Sequence, residues 1–332
     1  MFSQGPIVIG CKQTTPSVWP EGENQAMTKI LLFGKGGQVG WELQRSLAPL
    51  GDLVALDFDS ASHCGDFTNL AGLAETVRAV RPDVIVNAGA QTAVDKAESE
   101  PDLVRTINAL APRVLASEAA KLGAWLVHYS TDYVFDGSGS APWLETDQPA
   151  PLSVYGHTKL EGENLIQASG CKHLIFRTSW VYAARGGNFA KTMLKLAQER
   201  QTLNIVGDQV GAPTGADLLA DVTAHAIRHV LLQPGAGAAD LSGLYHLAAS
   251  GHTSWFEYAK EVFSHVLIEK FAIKLIVNDI RSVSSATYPT AARRPLNSRL
   301  NTAKLQSAFN LTLPHWKPGV ARMLTEHLEK QT

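Results

Sequence analysis

The sequence contains few cysteines, and their positions argue against a fold held together by disulfides or by zinc. Cys11, Cys64 and Cys171 are the only three in 332 residues, and they stand far apart in no paired pattern. Disulfide frameworks and zinc sites need closely spaced cysteines, or cysteines near histidines. We therefore expect a fold held by a hydrophobic core, in a reducing compartment such as the cytoplasm.

Long apolar runs and an excess of charge of one sign are also lacking. No segment approaches the roughly 20 apolar residues that a membrane-spanning helix needs. The formal net charge is −2, so neither an anionic membrane nor nucleic acid is an expected partner. Residues 1–26 lack the basic start and apolar centre of a signal peptide. We expect residues 1–28 to be a disordered leader, with Met27 a candidate for the start.

A glycine-rich turn follows the first apolar segment. Residues 30–33 are typical of a buried parallel strand, and Gly34, Gly37 and Gly40 follow at intervals of three. An apolar repeat beginning at Val39 indicates a helix whose amino end faces the turn. Free N–H groups and the helix dipole at such an end suit a pyrophosphate. The turn therefore predicts dinucleotide binding, with a purely structural turn as the alternative.

An acidic residue ends the second apolar segment. Asp57 follows residues 53–56, at about the 20-residue distance where dinucleotide folds bond the adenosine ribose hydroxyls. Its charge favours NADH, because a 2′-phosphate would be repelled unless a cation compensates.

Strand and helix patterns then alternate along the chain. Apolar strands are expected at 83–87, 124–129 and 173–177, with helices between them. This alternation predicts an α/β fold with a doubly wound parallel sheet of the Rossmann type. Beyond residue 205 the pattern loosens into a smaller lobe. We predict a dinucleotide-binding domain over 29–204 and a mainly substrate-binding lobe over 205–330, with some segments returning to the first domain.

Tyr155 and Lys159 stand one helical turn apart on a predicted helix, so both can act on one ligand. An ammonium near a phenol favours the phenolate and lowers the phenol pKa. Tyr155 would give its proton to a carbonyl oxygen while hydride reaches the carbon, and Lys159 would bond the nicotinamide ribose. Thr131, at the end of strand 124–129, would orient the same oxygen. The alternatives are that Tyr155 and Lys159 are merely a pair on the helix surface and that Thr131 caps a helix.

Together these motifs resemble the extended short-chain dehydrogenase/reductases, and among them the dTDP-4-dehydrorhamnose reductase family. The resemblance covers residues 27 to about 328 and is carried by the stretches 33–41, 94–98, 128–135, 154–159, 176–182, 211–215 and 294–300. It implies that the C4 keto group of dTDP-4-dehydro-β-L-rhamnose is reduced by NADH or NADPH to give dTDP-L-rhamnose. This is the last step in making the sugar donor for surface polysaccharide such as O antigen.

The resemblance also implies roles for individual residues. The catalytic residues would be Thr131, Tyr155 and Lys159, and Asn108 would hold a water in the proton relay. The cofactor would lie among Gly34, Gly37, Gln38, Val39, Gly40, Asp57, Asp66, Phe67, Ala90, Gln91, Thr92, Tyr129, Tyr155 and Lys159. The nucleotide sugar would meet Thr131, Asp132, Trp180, Arg294 and Arg299, the two arginines pairing with its pyrophosphate.

Some members of the family bind magnesium at a homodimer interface through acidic side chains. Glu42 occupies one such position, Asp217 replaces a glutamate at another, and Ala303 stands at a third. Because Mg²⁺ prefers several oxygen ligands, we expect at most a weakened site at Glu42 and Asp217. The homodimer is an equally open expectation.

Two other functions stay open at this stage. One is another nucleotide-sugar reductase or epimerase. The other is a non-catalytic, dinucleotide-binding regulatory subunit of methionine adenosyltransferase, which resembles the same fold. The set of Thr131, Tyr155 and Lys159 favours turnover, because a protein that only binds has no need of a tuned acid.

Overall fold

A computed structural model describes residues 27–233, 237, 240–269, 271 and 273–329. The leader predicted over residues 1–28 therefore lies almost wholly outside the described residues. Within the described ranges, no helix has the length and apolarity needed to cross a lipid bilayer.

The strands are β1 (Lys29–Phe33), β2 (Asp52–Leu56), β3 (Val84–Asn87), β4 (Trp125–Thr131), β5 (Lys172–Thr178), β6 (Val181–Tyr182), β7 (Thr202–Val206), β8 (Val210–Gly211), β9 (Thr214–Gly215), β10 (Gly243–His246), β11 (Thr253–Ser254) and β12 (Asp279–Val283). The helices are α1 (Gln38–Leu47), α2 (Leu70–Val80), α3 (Val94–Ala97), α4 (Pro101–Arg105), α5 (Ala111–Leu122), α6 (Val154–Ala168), α7 (Phe189–Glu199), α8 (Ala216–Leu232), α9 (Trp255–Ile268), α10 (Ala303–Phe309) and α11 (Trp316–Glu329).

A six-stranded sheet organises the fold, in the order β10-β5-β4-β3-β1-β2. Every neighbouring pair in it is parallel, with Ile30 of β1 aligned to Leu53 of β2 and to Val84 of β3. The strand order reverses beside β1, and in open α/β sheets ligands bind in the crevice outside the strand ends at such a point. The predicted fold class is confirmed.

Successive side chains of β1 serve two separate cores. Ile30 and Leu32 belong to the cluster beneath α1, α8 and α10. Leu31 and Phe33 belong to the cluster beneath α2 and α5 on the opposite face. A continuous apolar strand is therefore needed, because a central parallel strand is covered by helices on both faces.

A third core lies outside the sheet. It joins α7, β7, α9 and α11 through residues such as Met193, Ile205, Phe263 and Leu324. Strand β12 pairs in parallel with β7 beside it. Helix α7 precedes residue 205 yet packs in this core, whereas β10 follows residue 205 and completes the large sheet. The division of the chain at residue 205 stays a prediction.

The chain between β3 and β4, where the sequence predicts a helix, contains a wider helical turn. Residues Thr106–Leu110 form a π-helical segment between α4 and α5, and Gly123 ends the helix with φ of +68°. An inserted residue of this kind turns the side chains of the segment relative to a regular α-helix and often marks functional sites. The π segment contains Asn108, a buried polar residue.

Candidate active site

The turn after β1 brings two glycine backbones into contact. Gly34 has φ of +81°, and a Cβ on Gly40 would overlap the carbonyl oxygen of Gly34. The Gly37 N–H donates to the same carbonyl at 3.2 Å, so α1 begins directly against the turn. Beside it, Gln38 Oε1 is buried with no hydrogen-bond partner among the described residues. The cradle and the helix end suit a dinucleotide pyrophosphate, and the unpaired amide oxygen can accept a hydrogen bond from a hydroxyl or amide of a ligand.

Asp57 lies against the glycine turn from the end of β2. Its Oδ2 accepts the Gly36 N–H at 2.9 Å, and its Oδ1 accepts the Phe58 N–H at 3.0 Å. A Cβ on Gly36 would overlap this carboxylate. The predicted ribose-binding acid is therefore held at the edge of the cradle by main-chain donors.

Phe67 and Asp66 have different surroundings in the loop after β2. Phe67 packs edge-on against Phe33, with ring centroids 5.7 Å apart, and a Cβ on Gly89 would lie 2.7 Å from its Cε2. Phe67 thus supports the small residues that follow β3. Asp66 Oδ1 accepts the Thr68 N–H at 2.8 Å and caps its own turn.

The loop after β3 is fixed by Asn108. Asn108 Oδ1 accepts the Gln91 N–H at 2.9 Å, and its Nδ2 donates to the Gln91 carbonyl at 3.0 Å. This reciprocal pair holds Gln91 between the exposed residues Ala90 and Thr92. The structure thereby gives Asn108 a positioning contact, and its proposed water stays a prediction.

The Tyr129 side chain lies in the core beside α8, and its predicted contact with the cofactor stays a prediction. Its hydroxyl lies 2.6 Å from Thr223 Oγ1 of α8, and its ring packs against Phe176 in the core. Burial raises the pKa of this phenol. The Tyr129 main-chain carbonyl accepts a hydrogen bond from Lys159 Nζ at 2.6 Å.

The predicted catalytic residues converge beside the end of β4. Thr131 ends that strand, while Tyr155 and Lys159 occupy the first turns of α6, whose start is capped by Ser153 Oγ accepting the Gly156 N–H at 3.2 Å. Burial raises the pKa of Tyr155 to about 12, and hydrogen bonding with Thr131 partly opposes that rise. The expected lowering of this pKa by Lys159 is wrong for the observed arrangement. The Lys159 Nζ is instead bonded to the Tyr129 carbonyl and lies 3.1 Å from His128 Nε2.

A cavity of about 860 Å³ opens beside these residues. Tyr133 lines it and meets the Tyr155 ring edge-on at a centroid distance of 5.6 Å, so the Tyr133 side chain connects the Tyr155 phenol to the cavity. Cavities of this size accommodate cofactors and small-molecule ligands. Further along, Trp255 and Gln209 line it from the lobe.

The two predicted phosphate-binding arginines are not together. Arg294 lines the cavity and pairs with Asp95 at 2.6 Å. Arg299 does not line it, and its Nε donates to Asn297 Oδ1 at 2.9 Å. The second cation at the cavity is Arg293, which sequence reasoning missed although it adjoins Arg294. A pair of adjacent arginines was the signal available for it.

Two further predicted substrate residues flank the cavity. Asp132 is 2% exposed, and burial raises its pKa to about 7. Its Oδ2 has no hydrogen-bond partner among the described residues, and neither has Thr178 Oγ1 at the end of β5. Trp180 stacks on Trp255, which lines the cavity. Unpaired polar atoms at the strand ends suit a polar ligand.

Glu42 and Asp217 line a separate cavity of about 260 Å³ together with Glu326. Ala303, the third expected position, does not line it. Arg322 pairs with Asp217 at 3.4 Å, while Arg45 lies 3.6 Å from Glu42. Over the described part of the chain, no group of three or more histidine, cysteine or acidic side chains is arranged to hold a metal ion. Within one protomer both carboxylates thus lie near arginines, and the Mg²⁺ site expected at a homodimer interface stays a prediction.

The pairing of a glycine-rich dinucleotide turn with Tyr155 and Lys159 on a helix beside a strand-end threonine defines the class of protein. It is that of the extended short-chain dehydrogenase/reductases.

Comparison with known proteins narrows this class to one family. The family described as "RmlD substrate binding domain" matches residues 27–329, and the chain belongs to it. The dTDP-4-dehydrorhamnose reductases of Escherichia coli K12 and Salmonella typhimurium LT2 are each 61% identical over 297 residues, covering 90% of this chain and 97% of theirs. A Bacillus anthracis dTDP-4-dehydrorhamnose reductase crystallised with NADP is 35% identical with a TM-score of 0.79, covering 90% of this chain and 99% of that one.

Proposed function

We propose that this protein is an NAD(P)H-dependent reductase that converts dTDP-4-dehydro-β-L-rhamnose to dTDP-L-rhamnose, the final step of dTDP-rhamnose biosynthesis. The observation that carries the proposal is the position of the Tyr155 phenol. It lies beside Thr131 and against Tyr133, which lines the cavity together with Arg294. The high identity to reductases of this name supports the choice of substrate.

The coenzyme would be held by the cradle of Gly34, Gly37 and Gly40, with Gln38 and Asp57 at its edge. When bound, NADH or NADPH supplies the hydride for the C4 carbonyl carbon of the sugar. Gln91 would face the same ligand from the loop that Asn108 fixes.

Tyr155 is the proton donor to the C4 oxygen. Because burial keeps its pKa at about 12, the phenol carries its proton at neutral pH. An alkoxide is a stronger base than a phenolate, so the proton moves to the sugar oxygen as the carbonyl is reduced. Thr131 donates a hydrogen bond to the same oxygen and orients it.

The nucleotide sugar would extend from Thr131 and Asp132 along the cavity to the arginines. Arg294 and Arg293 are the cations that line it, and a guanidinium pairs bidentately with phosphate oxygens. We therefore assign the pyrophosphate to these adjacent residues rather than to Arg299.

We propose a cytoplasmic location for this activity, because nicotinamide coenzymes and nucleotide sugars are found there. The homodimer stays a prediction, which sedimentation of the purified protein would test. No step of the mechanism needs the carboxylates Glu42 and Asp217.

The test is oxidation of NADH or NADPH in the presence of the dTDP-4-keto sugar made by upstream enzymes. Tyr155→Phe should lower kcat by roughly 10²- to 10⁴-fold, because the positioned acid is lost. Tyr245→Phe is the matched control, since this phenol bonds the Leu241 carbonyl in the core and should keep activity. Equal rates for wild type and Tyr155→Phe would remove Tyr155 from its role. No oxidation by wild type would favour the non-catalytic regulatory subunit.

A further inference from the structure

Beneath the catalytic helix, a buried chain of hydrogen bonds links β3, β4 and α6. Asn87 Nδ2 lies 2.9 Å from His128 Nδ1, and His128 Nε2 lies 3.1 Å from Lys159 Nζ. The exposed fractions of these residues are 1%, 1% and 2%. The direction of each hydrogen bond can be assigned from its neighbours.

The Asn87 amide is fixed by a main-chain donor. Its Oδ1 accepts the Gly89 N–H at 3.0 Å, so its Nδ2 must be the atom that faces His128. That nitrogen can only donate, which makes His128 Nδ1 an acceptor. A neutral imidazole has one donor and one acceptor nitrogen, so His128 Nε2 carries the proton.

Lys159 therefore receives a hydrogen bond from His128. An ammonium has no lone pair and cannot accept one, whereas a neutral amine can. The amine still donates to the Tyr129 carbonyl at 2.6 Å. The alternative, an ammonium donating to His128, would leave the imidazole facing donors at both nitrogens with no proton of its own. Such an anionic ring has no support in a buried site.

The charges around Lys159 agree with this assignment. Glu163, one turn further along α6, is the carboxylate that favours the charged form, but it is held by Arg177 of β5 at 2.9 and 2.6 Å. Tyr155, one turn earlier, carries its proton at neutral pH. Burial accordingly lowers the pKa of Lys159 to about 8.

We propose that Asn87 and His128 are positioning residues that favour the neutral amine of Lys159, so that in alkaline solution Lys159 takes up one proton when it turns to a bound nicotinamide coenzyme. The proton comes from solvent, one N–H bond forms, and the side chain changes from neutral to positive. Above about pH 8, the ammonium then stands near Tyr155 mainly when the coenzyme is in place. The inference rests on the proposed function in one respect, that Lys159 meets the coenzyme.

The experiment counts protons taken up when saturating NADH is added to weakly buffered protein containing a pH indicator. NADH is the probe because it lacks the 2′-phosphate, which titrates near neutrality. For a pKa of about 8, wild type should take up close to one proton per NADH at about pH 9 and almost none at about pH 6.5. Lys159→Met should take up none. Lys304→Met is the matched control, because Lys304 also donates to a main-chain carbonyl, that of Leu244 at 2.7 Å, and should keep the uptake.

Asn87→Asp tests the donor and acceptor roles assigned along the hydrogen bonds from Asn87 through His128 to Lys159. Its carboxylate would accept both the Gly89 N–H and the His128 Nδ1–H, which turns His128 Nε2 into an acceptor for an ammonium. Uptake at about pH 9 should then fall toward zero although NADH still binds. If this variant does not fold, the wild-type pH series and Lys159→Met still decide whether Lys159 takes up the proton. NADH binding to wild type at about pH 9 without proton uptake, or equal uptake by Lys159→Met, would overturn the inference alone, whereas failure of both NADH and NADPH to bind would overturn the proposed function as well.

Discussion

The Trp180 indole lies flat on that of Trp255, with ring centroids 3.5 Å apart and planes 11° from parallel. Trp255 Nε1 donates to Gln209 Oε1 at 3.1 Å, which fixes the second ring. Trp180 itself has φ of +48°, a conformation that costs a non-glycine residue about 1–3 kcal/mol. Gly211 also approaches the Trp180 ring closely. The ring is thus in contact both with a glycine and with a second indole that lines the cavity.

Gly211→Ala should impair reduction of the sugar. The added Cβ would lie 2.6 Å from Trp180 Cε2, so the indole would have to shift. Displacement of a substrate-positioning group by about 1 Å costs roughly 100-fold in rate, and we expect kcat/KM for the sugar to fall by up to that factor. Steady-state kinetics at saturating NADH measure it. Gly187→Ala, whose Cβ meets open space at an ordinary φ, should match wild type; an equal loss in both variants would contradict the explanation.

Trp255→Leu should raise KM for the sugar more than it lowers kcat, because Trp180 would lose its support while Tyr155 keeps its place. Offset aromatic pairs contribute about 0.5–1.5 kcal/mol beyond burial, which corresponds to roughly 2- to 12-fold in KM. The near-ultraviolet circular dichroism of the stacked indoles should disappear. Trp41→Leu removes a half-exposed indole outside the pair and should change neither quantity. An unchanged dichroism spectrum in Trp255→Leu would show that the stack does not persist in solution.

Asp132→Asn should stabilise the protein above neutral pH. Burial raises the folded-state pKa of Asp132 to about 7 from an ordinary value of 3.8. The folded state therefore holds the proton more tightly than the unfolded chain, and this stabilisation is lost as pH rises through about 7. Asparagine does not ionise. The free energy of unfolding of the variant should therefore rise relative to that of wild type between pH 4 and 7, by at most roughly 4 kcal/mol.

Urea unfolding from pH 5 to 9 measures this difference. Asp136→Asn is the control, because its Ser138 hydrogen bonds lower the pKa of Asp136 and its contribution should be constant over that range. A difference between Asp132→Asn and wild type that does not vary with pH would contradict the prediction.

Glu163→Gln should destabilise the fold strongly. The Glu163 carboxylate and the Arg177 guanidinium are 0% and 3% exposed and form two hydrogen bonds. Removing one charge of a buried pair leaves the other uncompensated and costs about 3–5 kcal/mol. Glu161→Gln breaks the exposed pair with Arg105 and should cost about 0.2–1 kcal/mol. The free energies of unfolding in urea compare the two, and similar values would show that Arg177 finds another partner.

The large sheet could be predicted from the sequence because its strands are continuous apolar runs bounded by glycine, proline and acidic residues. The observed strand β4, Trp125–Thr131, extends only two residues beyond the predicted end and places Thr131 as expected. Tyr155 and Lys159 share a helix, so their spacing alone determined that they lie on one side. The short pairing of β7 with β12 was not predictable, because each is brief and the two are distant in sequence.

Other site features depended on which face of the sheet each helix covers. Alternation along β4 separates His128 from Tyr129, but it does not say which of them faces α6. The structure places His128 against Lys159 and Tyr129 against Thr223. Likewise, Arg299 is turned away from the cavity by Asn297, a contact two residues away that depends on the local turn.

The return of strand β10 to the large sheet has a consequence for how the protein is synthesised. Gly243–His246 is laid beside β5 only after the residues of α7, β7 and α8 have been made. A nascent chain released before residue 243 would carry β5 as a bare sheet edge, open to pairing with another chain. The ribosome must therefore deliver most of the polypeptide before either half is complete, and premature termination late in the message should yield aggregates rather than a smaller working reductase.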